Sequence, residues 1–115
     1  MEQPIWFSAQ LLFQSEVARN SAEYDTETYE ESIVLIKAVN KEEAYQIAAV
    51  NGKNEESSYM NIYNEEVHWR FIKVVDLFEL TEETIDSGTE VFSRYILAPS
   101  GTQPKEILHR YYQEE

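Results

Sequence analysis

VHWRFIKVVDLFEL, residues 67–80, is the stretch on which the fold turns. It is rich in β-branched and aromatic residues and alternates with a period of two. Val67, Trp69, Phe71, Lys73 and Val75 fall on one side, and His68, Arg70, Ile72 and Val74 on the other. That period predicts a long strand, because successive strand side chains point to opposite faces. Apolar bulk on both sides predicts one face against a helix and the other under something less regular.

Immediately upstream, residues 57–63 make a short strand, with Asn64-Glu65 where a tight turn would join the two. Further back the pattern changes. Asn40 followed by Glu43 resembles a capping box, and residues 41–51 place Ala44, Ile47, Ala48 and Val50 toward a sheet, with Gly52 as a left-handed stop. Residues 31–39 (ESIVLIKAV) form a β-branched strand ahead of that helix. Residues 5–14 (IWFSAQLLFQ) form the first strand, with Ile5, Phe7, Ala9, Leu11 and Phe13 on one face. Between these two strands, residues 18–28 are polar, acidic and without period, as a long loop would be.

Downstream, TEETIDSG (81–88) is an acidic connection and TEVFSRYIL (89–97) reads as a last strand. After Pro99 and Gly101, Pro104 opens a short helix over 104–113, since proline suits the first helical turn. The expectation is an α+β fold: a mainly antiparallel sheet of about five strands, one packed helix and a short C-terminal helix. Residues 1–98 form the single domain and 99–115 a tail.

The order of WFSAQLLF, EESIVLIKAVNKEEAYQIA, VHWRFIKVVDLFEL and GTEVFSRYIL resembles a bacterial family catalogued as domain of unknown function 4288, over residues 6–97. The resemblance implies small bacterial cytosolic proteins and brings no activity or catalytic residue with it.

Composition narrows the function. The chain has 115 residues, a size typical of one domain, and is 43% hydrophobic and 13% aromatic, enough for a packed core. There is no cysteine, which removes disulfides, thiolate metal sites and cysteine nucleophiles. Twenty-two acids against nine bases give a net charge of -13. Such a surface repels phosphate backbones and anionic lipid and attracts basic proteins, so neither nucleic acid nor membrane is an expected partner. The start Met1-Glu2-Gln3-Pro4 is acidic, and no run approaches the roughly 18 apolar residues of a membrane span. A cytosolic location is expected.

His68 and His109 sit apart in the sequence with no HExxH or related spacing, so no metal is assigned. Ser8, Ser32 and Ser93 lack a nucleophile elbow, and three glycines cannot build a phosphate-cradling loop. No cofactor and no enzymatic activity are expected. Polar residues inside apolar strands, namely Glu31, Arg70, Lys73, Glu90 and Arg94, suit either a cross-strand ion-pair ladder or a groove shared with Trp6, Trp69 and Tyr95. Acidic runs around Glu23, Asp25, Glu27 and Glu30, and around Glu79, Glu82 and Glu83, suit a solvated face. Tyr24 and Tyr29 among those acids favour contact with arginine-rich surfaces. The leading expectation is therefore a non-enzymatic interaction module for a basic protein, an immunity-like role being one version. Its binding residues are expected among Trp6, Tyr24, Tyr29, Glu31, Trp69, Arg70, Glu90 and Arg94. A small-ligand-binding sheet and a self-associating homo-oligomer are the alternatives.

Overall fold

A computed structural model describes residues 3–18 and 27–113. The elements are β1 (Ile5–Val17), β2 (Thr28–Ala38), α1 (Lys41–Asn54), β3 (Ser57–Met60), β4 (Glu66–Glu79) and α2 (Pro104–Tyr112). The strands form one antiparallel sheet in the order β2-β1-β4-β3. The α+β class is as expected, but the described sheet has four strands instead of about five.

The missing strand is 89–97. That segment is irregular and joins no ladder, and Tyr95 and Leu97 are almost fully exposed. Aromatic and β-branched composition shows that a segment suits a sheet; a neighbouring edge must still be within reach. Here the chain makes its last bond to the sheet at Leu80, whose N–H donates to the Trp6 carbonyl at 2.9 Å, and then turns away through 81–88. Phe92 stays close, its ring tilted against Phe78 with centroids 6.2 Å apart.

The core lies between the sheet and α1. Phe7, Ala9, Leu11 and Phe13 from β1, Ile36 and Ala38 from β2, and Val74 from β4 are buried against Ala44 and Ala48 of the helix. Strict alternation fails on β4. Its register against β1 shifts twice, leaving Ile72 and Val75 as extra residues, so Phe71 opposes Phe13, Lys73 opposes Leu12, and Val74 opposes Leu11. Each bulge turns the strand by one residue. Lys73 is thereby put on the face away from α1, and Val74, placed opposite Phe71 by simple counting, enters the core.

The start of α1 follows the sequence reading. Asn40 Oδ1 accepts from the Glu43 N–H at 2.8 Å, satisfying one of the orphan donors of the first turn. The end does not. The helix continues through Gly52 to Asn54, and Gly52 is buried with ordinary helical dihedrals. A Cβ there would lie 2.5 Å from the Phe71 ring, so this glycine serves close packing and not a left-handed stop. β3 ends at Met60, short of the expected Tyr63, because the Asn61 side chain takes the N–H groups of Tyr63 (2.9 Å) and Glu65 (3.0 Å) and closes the turn itself. Asn64 completes that turn in the left-handed region, φ 60°. α2 begins at Pro104 as expected, with a capping box between Gln103 and Glu106.

Candidate functional site

The register divides the sheet into two faces. Opposite α1, the open face carries Trp6, Leu12 and Gln14 of β1, Tyr29, Glu31, Ile33, Leu35 and Lys37 of β2, and Arg70 and Lys73 of β4. A polar row crosses it. Gln14 Nε2 donates to the Tyr29 hydroxyl at 3.2 Å, Arg70 Nη2 donates to Gln14 Oε1 at 3.2 Å, and Arg70 Nε pairs with Glu16 at 3.3 Å. Lys37 stands over the Trp6 ring, 5.4 Å from its centroid. Next to this row Ile33 is 50% exposed and Leu35 40%, an unusual pair of aliphatic residues to leave in water on a strand.

The other face holds a cleft of about 410 Å³ where α1 stops short of the end of the sheet. Leu11 and Phe13 form its floor, Trp69 and Val34 its walls, and Glu30, Ser32, Asn51, Glu55 and Ser57 its polar rim. Among the described residues the lining has two carboxylates and no base. Glu55 is the C-cap of α1, its N–H bonded to the Asn51 and Gly52 carbonyls at 3.1 and 3.2 Å. The cleft therefore also meets the negative end of a helix. The indole N–H of Trp69, which also lines the cleft, reaches the Tyr59 hydroxyl at 3.4 Å.

The junction beside this cleft is pinned by Glu56. Its carboxylate accepts the Phe71 N–H at 2.8 Å and Lys53 Nζ at 3.5 Å. The Phe71 N–H, followed by the Lys53 charge, holds the Glu56 carboxyl below its ordinary range.

These placements redistribute the residues singled out from sequence. Trp6, Tyr29, Glu31 and Arg70 share the open face, whereas Trp69 is on the opposite face in the cleft. Arg70 pairs with Glu16, so the ladder expected with Glu31 or Glu90 does not form. Glu90 and Arg94 lie beyond the sheet, where Arg94 sits over the Tyr111 ring of α2 at 5.6 Å. Tyr24, Glu23 and Asp25 lie outside the described residues. Glu30 and Glu55 were not expected as partners. The available signal was the period of β2, which sends Glu30 inward once Val34 and Ile36 are in the core, but only the register brings it near α1. Among the described residues no group of three or more His, Asp or Glu is arranged to hold a metal, and no helix is long and apolar enough to cross a membrane.

A family model described as a domain of unknown function, DUF4288, matches residues 6–93. The chain belongs to the DUF4288 family. No curated protein and no solved structure matches it. The DUF4288 match spans β1 to β4, including every cleft residue and the open face, and it stops just before Arg94.

Proposed function

We propose that this DUF4288 protein is a non-enzymatic binding module for a basic protein, and that the Trp69 cleft receives one arginine or lysine side chain of that partner. The observation that carries the reading is the make-up of the cleft: an indole, two carboxylates and a helix C-terminus around one apolar floor. An aromatic face attracts a cation through its quadrupole, and the carboxylates supply the countercharge. The apolar floor suits the methylene stem of a long basic side chain. A net charge of -13 steers such a partner in from a distance.

Fluorescence titration with an arginine-rich peptide tests this, in a Trp6→Phe background so that Trp69 reports alone. Glu30→Gln and Glu55→Gln are each expected to weaken binding about three- to tenfold, in line with the loss of one charge-assisted contact. Raising salt from about 50 to 500 mM is expected to weaken it at least tenfold. Binding indifferent to both would overturn the reading. A second reading takes the same cleft as a small-ligand site, because about 410 Å³ falls within the range of such pockets. Thermal stabilisation by one class of organic cation, with no response to basic peptides, would favour it.

A further inference from the structure

Residues 89–113 are an arm that its own domain leaves unfinished. Segment 89–97 has the aromatic and β-branched composition of a strand but no ladder, and among the described elements the backbone of α2 does not pack closely on any strand or on α1. Nothing in α2 is buried; Leu108 and Tyr111 are 41% exposed. A hollow of about 870 Å³ beneath α2 is walled by the arm alone, including Pro99, Ile107 and Tyr111. The radius of gyration is 18.6 Å, against about 13 Å for a compact chain of roughly this length. Backbone groups and aliphatic side chains left this way are strong drives to association.

The sheet offers a matching edge. β2 pairs only with β1, so its outer side is open among the described residues, and it is there that Ile33 and Leu35 stand exposed beside Glu31. The free upper part of β4 suits the arm less well, since it carries Arg70 and Lys73 and Glu56 already takes the Phe71 N–H. Charge agrees with this choice. Residues 1–93 carry nineteen acids against six bases, whereas residues 94–113 carry one acid against three bases.

We infer that two copies of this chain exchange arms, the 93–97 segment of each adding as a strand to the outer edge of β2 of the other. Arg94 then meets Glu31 of the second copy, and Ile96 covers Ile33 and Leu35. Phe92 remains on its own Phe78 and acts as the pivot. This pairing is independent of the Trp69 cleft. Its salt dependence also has the opposite sign at low salt: two chains of charge -13 repel, so moderate salt promotes their association, while it weakens capture of a basic partner.

Analytical ultracentrifugation of the full chain over a wide concentration range, at about physiological ionic strength, tests it. The expected mass rises with concentration toward twice the 13.5 kDa of one chain. Arg94→Glu is expected to raise the dimer dissociation constant about tenfold, and the double variant Glu31→Arg with Arg94→Glu to return it to within about threefold of the starting value. Both positions are exposed, so the monomer fold is retained, which circular dichroism of dilute protein checks. A mass of one chain at every concentration would overturn the proposal, as would a dimer that ignores Arg94→Glu or is not rescued by the double variant.

Discussion

At the scale of single residues, one absent methyl group sets how closely α1 lies on the sheet. Gly52 faces the Phe71 ring with no room for a Cβ, which would sit 2.5 Å away. Alanine ordinarily strengthens a helix interior by about 1 kcal/mol over glycine. Here overpacking dominates, and Gly52→Ala is expected to destabilise the fold by about 1–3 kcal/mol, read from the urea midpoint. An increase in stability would show that Phe71 moves aside freely. The sequence alone invites the wrong interpretation, because a glycine after a run of helical residues looks like a stop signal. What decides otherwise is a ring nineteen positions away, and no local pattern encodes it. By contrast, the Asn40 cap was legible, because its partner Glu43 is one turn along the same chain.

At the scale of elements, the strands, the helix start and the antiparallel pairing follow from periodicity, but the faces of β4 do not. Its two bulges depend on β1, so Lys73 and Val74 exchange faces for a reason outside their own segment. The cleft is illegible in the sequence for the same cause: composition points to Trp69, but Glu30 and Glu55 join it only through pairing and the helix end. Glu56 binds that helix end to β4. Because its folded-state carboxyl lies below the ordinary range, its contribution is present above about pH 4.3 and is lost as the pH falls through the folded value. Glu56→Gln is therefore expected to lower the urea midpoint at pH 7 and to match the parent more closely near pH 3. An equal deficit at both pH values would mean that Glu56 acts through packing and not through its charge.

At the scale of the whole molecule, charge and shape underlie the two proposals made above. The acidic body surrounds the proposed basic-side-chain cleft, and in the proposed dimer the arm would bring a weakly basic, apolar segment to the acidic edge of a second copy. The last strand read from the sequence is still strand-like in composition, but it pairs with neither open edge of its own sheet. The body and its cleft lie inside the DUF4288 match, and nearly all of residues 93–97, the segment proposed to exchange, lies outside it. The measurement that bears most directly on the basic-partner reading is a heteronuclear NMR titration of the labelled protein with an arginine-rich peptide at low salt. The largest shifts are expected at the Trp69 indole N–H and at the amides of Ser32, Glu55 and Ser57, reversed by salt. Shifts confined to the Trp6, Tyr29 and Arg70 face, or none at all, would contradict it.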